Sequence, residues 1–429
     1  MPKAQDGQFL HPSLFVRRVR LAVSGEILER VGFTAGLEIG NGRIGETVYT
    51  GPGTSRFARA WAHDGRVRPG EATVSYRFRD WLSFTAGMQN VPFSMSNRTR
   101  SHLTTFMERP VAIRGFAVPY ERDLGVTVWG ELFGERTLAY ELGVFMGDGF
   151  DRPTTDARAD YMGRIFARPL TRAGDALFFK QAQIGISMRH GQRDQEFVDY
   201  DYPAIASNQG FVMWQPGYVD SLGRTTHVIP SGAQNSIGGE LRLPFRMPNG
   251  AVLDFSGEAY YVANNTRDAV EGFQSTNTER LGRVNGLGWY AEVSWWACFT
   301  DQLAGGEPGI YRPFHVDLDR EAPLKKAFQI SAMASGIVAN YSGATRGGSV
   351  PDANTPDANV ALYQVGGAVS YWFNYNFRAT INYFAYITPD SGDVTKNQAL
   401  VPDNVTVTDG ALGGGHVHHE LGARTAINF

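Results

Sequence analysis

The sequence predicts an all-β protein in which sixteen antiparallel strands close into a transmembrane β-barrel. Apolar and polar residues alternate along most of the chain, and many of the alternating segments have the length that a tilted strand needs to cross a bilayer. The chain has 429 residues, of which only 19% are charged, below the usual share of a soluble domain. No run of about eighteen apolar residues occurs, which argues against membrane-spanning helices.

The clearest alternation lies in residues 71–89. Val74 and Tyr76 alternate with Thr73 and Ser75, and the pattern resumes after the turn at residues 79–80. This arrangement is typical of a hairpin with one apolar and one polar face. The same reading predicts strands at 14–23, 30–40, 54–62, 71–78, 81–89, 125–133, 137–146, 160–168, 177–189, 235–245, 251–262, 286–297, 326–338, 361–373, 377–387 and 416–429.

The connections between these strands divide by length. Those after even-numbered strands are mostly short, whereas those after odd-numbered strands are long: 90–124, 147–159, 190–234, 263–285, 339–360 and 388–415. Transmembrane barrels have this asymmetry, with short turns on the periplasmic side and long loops outside. Two connections depart from it, the short 24–29 and the long 298–325.

Composition excludes several classes of site. Lys+Arg and Asp+Glu nearly cancel to a net charge of −3, so bulk charge argues neither for nor against nucleic acid, and no nucleic acid partner is expected. Cys298 is the single cysteine, which rules out an intrachain disulfide and a zinc cluster of the cysteine type. His416, His418 and His419 are interpreted as solvated side chains at a strand end, so neither a metal nor a cofactor is expected.

The chain is predicted to contain a short periplasmic lead, 1–13, followed by one barrel domain, 14–429. Export requires a signal segment, and residues 1–7 lack the basic and apolar stretches of one. We therefore expect either a mature form with an initiator Met or an upstream start.

The alternation also assigns the charged residues of the barrel wall. The arginines expected to face inward are Arg18, Arg20, Arg77, Arg164, Arg189, Arg242, Arg378 and Arg424. The acids expected to face inward are Glu38, Glu131, Glu141, Glu240, Glu258, Glu292 and Glu420. Because the two sets nearly balance, lateral salt bridges are favoured over pore function for any one wall arginine.

Six segments share motifs with one known family. They are Arg17–Leu21, similar to an opening strand with paired arginines; Gly87–Phe93, similar to G-Q-x-K-x-P-F; Phe106–Arg109, similar to F-x-E-R; Leu138–Gly147, similar to Y-x-x-G-V-F-N-G; Tyr371–Asn376, similar to N-W-Y-x-N; and the closing Arg424–Phe429. In this order they resemble the phosphate-selective porin family, named for porins O and P. Asn90 stands where the motif has lysine, and Met146 where it has asparagine.

The resemblance implies a trimeric porin of the Gram-negative outer membrane, with loops folded into the barrel. The segments that would fold inward are 90–124, 190–234 and 298–325, and the last would explain one connection of unexpected length. Phe429 would be the terminal aromatic recognised by the assembly machinery. The implied partners are small anionic solutes, outer-membrane lipid and lipopolysaccharide, that machinery and further copies of the chain.

Residues 90–124 carry a surplus of arginine. Folded into a narrow lumen, such a surplus would act on anions at short range, and the guanidinium fork matches oxyanions. We expect Arg98, Arg100 and Arg114 to line a constriction, with Arg18, Arg20, Arg77, Lys325 and Lys326 as further pore-lining candidates. Glu108 and Arg109 are expected to anchor the loop. Segment 190–234 is net acidic, which would oppose anion attraction.

We therefore expect a passive porin for small anions such as phosphate. A weakly selective general diffusion porin is the alternative, given the balanced wall. A barrel enzyme would need a Ser–His–carboxylate set on the outer wall, and none is identified. A soluble β-rich binding protein would bury its apolar face, but a sandwich of this length would be oversized.

Overall fold

The structure is a computed structural model. It describes residues 18–40, 67–99, 103–116, 121–133, 137–147, 149, 158–171, 181–193, 205–206, 212–214, 217–219, 225–249, 251–270, 280–296, 303–304, 315–316, 327–345, 357–374, 377–388 and 416–427. The predictions for the lead 1–13, Arg100, Lys325, Lys326 and Phe429 lie outside these residues, as do most of 190–234 and 298–325.

The described chain is built from strands, with two short helices between the fourth and fifth. The elements are β1 Arg18–Ile27, β2 Val31–Gly40, β3 Val67–Arg79, β4 Leu82–Asn90, α1 Met95–Arg98, α2 Val111–Phe116, β5 Arg122–Leu132, β6 Leu138–Phe145, β7 Asp160–Ala167, β8 Gln183–Arg193, β9 Ile205–Ala206, β10 Val212–Trp214, β11 Gly217–Val219, β12 Thr225–Arg246, β13 Val252–Val270, β14 Arg280–Trp296, β15 Leu303–Ala304, β16 His315–Val316, β17 Ala327–Thr345, β18 Asp357–Trp372, β19 Phe377–Thr388 and β20 His416–Ile427.

Fifteen of these strands form one antiparallel sheet in chain order, from β1 to β20. The order skips only the short strands, so that β8 pairs with β12 and β14 pairs with β17, while β11 pairs at the side of β12. The all-β antiparallel prediction is therefore confirmed. Among the described pairings, β1 and β20 form the two edges of the sheet.

The predicted strand 54–62 lies outside the described residues. Its predicted position in the sheet is wrong, however, because β2 pairs directly with β3, as in Val31 opposite Tyr76. This pairing also corrects the parity of the first connections. Turns 28–30 and 80–81 therefore lie at the same end of the strands. The short 24–29 connection is thus no longer an exception to the division by length.

The sheet is apolar on one face and polar on the other, and the apolar face is the exposed one. Leu21, Val74, Leu142 and Ile381 are each more than half exposed. On the opposite face most polar side chains are buried, including Arg164, Glu240 and Gln364. This distribution is the reverse of a soluble sandwich, which buries its apolar face.

The sheet curves around residues 91–121, which are called the inner loop below. Arg20 on β1 lies 3.8 Å from Glu121, and Arg424 on β20 donates to Thr104, so both edges of the sheet contact this loop. A flat sheet of fifteen strands would be roughly 65 Å wide. Residues 104–121 would reach roughly 60 Å only if fully extended, and they include α2. The polar face is therefore concave.

Candidate constriction site

The inner loop lies on the concave polar face of the sheet. Ser94 caps α1 by accepting the backbone N–H of Asn97 at 3.2 Å, as cap serines commonly do. Every residue of α2 except Arg114 is buried. An apolar helix of six residues has little stability alone, so its structure depends on the wall that covers it.

Glu258, an inward residue of β13, holds the start of α1. Its carboxylate accepts the backbone N–H of Met95 at 2.9 Å and of Ser96 at 2.8 Å. It also accepts the hydroxyl of Ser94 at 3.2 Å and of Tyr290 at 2.6 Å. A carboxylate with four donors satisfies most of its lone pairs, and each charge-assisted bond is stronger than a neutral one.

Polar side chains of three adjacent strands accept further backbone N–H groups of the inner loop. Gln364 of β18 accepts from Val111 at 2.9 Å, and Ser335 of β17 accepts from Ala112 at 3.3 Å. Asn382 of β19 accepts from Met107 at 3.2 Å. These bonds satisfy donors at and before the start of α2, where helix N–H groups have no partner within the helix.

An apolar belt on the wall of β6, β7, β13, β14, β17, β18 and β19 packs against the loop. The ring of Phe93 lies 5.8 Å from that of Tyr260, and the ring of Phe106 lies 5.9 Å from that of Phe384. The absence of side chains at Gly286 and Gly288 leaves room for the ring of Phe116. The loop is therefore docked by burial as well as by hydrogen bonds.

Thr104 lies where two arginines of neighbouring strands meet. Arg378 of β19 and Arg424 of β20 each donate to its carbonyl oxygen at 2.8 Å. Arg378 also stacks over the ring of Trp372 at 4.6 Å, an arrangement that stabilises a guanidinium. Two positive groups thus converge on one loop residue, beside the β20 edge of the sheet.

Arg98 was predicted to line the constriction, and the structure places it against the wall. Its guanidinium lies 2.9 Å from the carboxylate of Glu141 and donates to the carbonyl of Asn90 at 2.7 Å. Its side chain is only 18% exposed. Its charge is matched at short range, so its geometry is that of an anchor.

Arg109 ties the loop to itself. It pairs with Glu121 at 2.9 Å and donates to the carbonyl oxygens of Ser96 and Thr99, the latter at 3.0 Å. Glu108, the other predicted anchor, is buried. Arg114 of α2 lies beside the Tyr386 hydroxyl.

The wall arginines predicted near the start of the chain differ in their surroundings. Arg20 pairs with Glu38 at 2.8 Å, and Arg122 pairs with the same carboxylate. Arg77 is largely exposed beside the short turns and lies 3.9 Å from Glu26. Arg18 begins β1, opposite Gly40.

Other interior arginines are also matched by acids. Arg164 is fully buried and holds Glu240 in a two-pronged pair, at 2.9 and 2.7 Å. Two arginines of β8, Arg189 and Arg193, bracket Asp160 at 2.8 and 2.6 Å, and Arg242 pairs with Asp254 at 3.1 Å. Such pairs neutralise most of the charge on this part of the wall.

Sequence reasoning identified Glu258 as a wall acid but not as the group that holds the inner loop. Ser335, Gln364 and Asn382 were not singled out at all. The alternation shows only that these residues face inward. The bonds join residues more than 160 positions apart, so no local signal could have found them.

Neither described helix has the length and apolar character to cross a membrane. Within the described residues, no group of histidine, cysteine and acidic side chains could hold a metal ion.

Solved structures of an outer membrane protein of Vibrio cholerae, OmpT, are similar to this chain. Its loop L8 deletion mutant is 9% identical, covers 86% of this chain and 84% of its own, and has a TM-score of 0.42. The in-vitro folded trimer form is also 9% identical, with coverages of 95% and 89% and a TM-score of 0.43. No curated protein matches the chain. Residues 6–181 match the family model described as phosphate-selective porin O and P, which confirms over this part of the chain the resemblance drawn from its motifs.

Proposed function

We propose that this protein is a passive outer-membrane porin for small anions such as phosphate. One observation carries the proposal: the sheet exposes its apolar face, while its concave polar face encloses the inner loop. A bilayer requires the apolar face outside. The family match over residues 6–181 supports the same function.

In this proposal the sheet is closed into a barrel. An open edge in lipid would leave a row of N–H and C=O groups without partners, at a cost of several kcal/mol for each group. Closing the sheet into a barrel removes both edges. A barrel of about sixteen strands is too wide to be filled by its own side chains and leaves a water-filled channel, which the inner loop narrows.

The preference for anions rests on positive groups beside the lumen. Arg378, which is buried, and Arg424, which is partly exposed, meet at Thr104. Neighbouring guanidinium groups attract an oxyanion strongly where water screens them least. The phosphate-selective family name supports this preference without fixing the solute.

A weakly selective diffusion porin is the second candidate. The observation that favours it is that several interior arginines form salt bridges with acidic residues, namely Arg98, Arg164, Arg189 and Arg242. A paired arginine presents little net charge to a passing ion. Both candidates predict an open aqueous pore and differ only in charge preference.

Planar bilayer recordings of the purified protein test both candidates. Steady conductance steps are expected on insertion, and a protein that inserts without conducting would contradict the porin proposal. In a potassium chloride gradient, the reversal potential should shift toward the chloride equilibrium potential if the channel prefers anions. A potential near zero would favour the weakly selective porin, and a shift toward the potassium value would overturn the anion preference.

The oligomer and its partners belong to the same proposal. We propose a homotrimer in the Gram-negative outer membrane, in contact with lipid and lipopolysaccharide, and inserted by the assembly machinery. Crosslinking in intact outer membranes should give a band at three times the chain mass. A band only at the mass of the single chain would contradict the trimer.

A further inference from the structure

The inner loop covers only part of the polar face. From β6 to β19 most inward side chains are buried, whereas most inward side chains of β1 to β4 are partly or fully exposed, with Glu38, Ser83 and Gln89 as the buried exceptions. We propose that solutes cross the barrel along this open strip. Its hydroxyl side chains are Ser24, Thr34, Thr73, Ser75 and Thr85, and the strip is called the hydroxyl lane below. The inference rests on the proposed porin function and names the path within it.

The register of the strands makes the lane continuous. Ser24 lies opposite Thr34, and Thr34 lies opposite Thr73. One step nearer the short turns, Ser75 lies opposite Thr85. Ser24 is exposed and the other four are partly exposed. Neighbouring strands are about 4.8 Å apart, so the hydroxyl groups form a wetted strip across four strands.

Residue type alone does not explain this exposure. Ser187, Ser335 and Ser370 occupy the same polar face but are each no more than 2% exposed. Ser187 and Ser335 bond to backbone N–H groups of the inner loop. The position of the loop therefore separates an open half of the wall from a covered half.

The lane has defined borders. On the side toward β5, the indole N–H of Trp129 donates to Thr85 at 3.0 Å. At the end beside the short turns, Arg77 and Glu26 lie 3.9 Å apart. At the other end, Arg20 and Glu38 are paired at 2.8 Å. Opposite charges thus stand at both ends of the strip.

This chemistry suits the passage of small hydrated solutes. Hydroxyl groups both donate and accept hydrogen bonds, so they can replace part of the hydration shell of an ion of either sign. Conduction requires binding that is favourable enough for entry and weak enough for release. A row of neutral hydroxyl groups meets this requirement better than the buried ion pairs under the loop.

Cysteine scanning in the full-length protein tests the path. In a Cys298→Ser background, Thr73→Cys and Ser75→Cys probe the lane, and Ser335→Cys and Ser370→Cys are matched controls on the covered wall. Small anionic and cationic methanethiosulfonate reagents are added during bilayer recordings. We expect both reagents to lower the conductance of the lane variants roughly 1.5-fold or more, as expected for a group placed in a narrow pore, and to leave the controls unchanged.

Mass spectrometry of the treated protein measures whether the reagent reaches each cysteine, independently of any change in conductance. Lane cysteines should be modified at least about tenfold faster than the controls, because reagents reach solvated thiols but not buried ones. The proposed path would be wrong if Ser335→Cys were modified as fast as the lane cysteines. It would also be wrong if the lane variants were modified without a change in conductance. A parent protein that does not conduct before any treatment would instead count against the porin itself.

Discussion

The carboxylate of Glu258 on β13 accepts the backbone N–H of Met95 at 2.9 Å, across 163 positions of the chain. The same carboxylate accepts Ser96, Ser94 and Tyr290. One wall residue therefore fixes the helical turn with which the inner loop begins to cross the polar face of the sheet. Bonds to a charged group contribute about 1.5–3 kcal/mol each, so this contact should determine how firmly the loop is held.

Glu258→Gln should loosen the inner loop. The glutamine amide keeps one accepting oxygen, but its NH₂ group would face the N–H and O–H groups that donate to Glu258. The substitution also removes the negative charge. We expect noisier single-channel currents, with more frequent partial closures, and an unfolding free energy lowered by about 2 kcal/mol. Single-channel recording and denaturant titration in detergent measure the two effects.

Glu26→Gln is the matched control for that prediction. Glu26 lies on the same face, but its side chain is 63% exposed and its arginine partner is 3.9 Å away. Exposed pairs of this kind contribute about 0–1 kcal/mol. Equal noise in the two variants would mean that Glu258 does not anchor the loop.

Gly288→Val should displace α2 from the wall of β14. A Cβ at this position would lie 3.1–3.4 Å from atoms of Phe116 and Ala112, and valine adds two methyl groups beyond it. Overpacking of this kind typically costs about 1–3 kcal/mol. We expect lower stability in detergent unfolding and a conductance changed by the shifted loop.

Gly367→Val provides the comparison within the same sheet. A Cβ at Gly367 meets nothing within 4 Å, and valine favours strand structure. This variant should keep the parent conductance and stability. If both variants behaved alike, contact with α2 would not be the reason for the glycine at position 288.

Strand positions could be predicted from the sequence because alternation is a local property. Fifteen predicted strands correspond to strands of the sheet, among them 71–78 within β3 and 251–262, of which all but the first residue lie in β13. Several are longer than predicted, since β13 continues to Val270. The alternation marks only the part of a strand with an apolar face. Backbone pairing continues beyond it, as in Asn264 opposite Val284, whatever the side chains are.

The error at 54–62 has a related cause. Phe57, Arg59 and Trp61 share a period of two, but such a pattern does not show which strands pair. The direct pairing of β2 with β3 depends on long-range register. Likewise, Arg98 was predicted to face solutes because its loop is basic, whereas its partner Glu141 lies 43 positions away on β6. Matched charges of this kind become visible only when the fold is known.

Leu142→Arg should hinder insertion into membranes. Leu142 is 51% exposed on the apolar face of β6, and arginine on the lipid-facing side of a barrel costs about 2–4 kcal/mol near the middle of the bilayer. We expect a loss of folded protein in vesicle-folding assays followed by the mobility of unheated samples on gels. Leu28→Arg is the control, because Leu28 is 86% exposed in the β1–β2 turn. Equal losses would show that the apolar face does not meet lipid.

Arg424→Gln should lower the charge selectivity of the channel, whereas Arg164→Gln should lower the stability of the protein and leave the selectivity unchanged. Arg424 donates to Thr104 beside Arg378, so its removal takes away a positive group at the β20 edge of the sheet. We expect the ratio of anion to cation permeability to fall roughly threefold, consistent with about 0.6 kcal/mol of lost attraction at a partly solvated site. The reversal potential in a salt gradient measures this ratio.

Arg164 is fully buried, and its positive charge is balanced by ion pairs with Glu240 and Glu141. Replacing it leaves acids buried without their partner, which destabilises by about 3–5 kcal/mol, but adds no barrier to an anion in the open part of the lumen. We therefore expect Arg164→Gln to lower the unfolding free energy strongly while the surviving channels keep the parent reversal potential. A parent-like reversal potential in Arg424→Gln as well would mean that the arginines at Thr104 serve the loop alone, and the weakly selective porin would then be the better description of the channel.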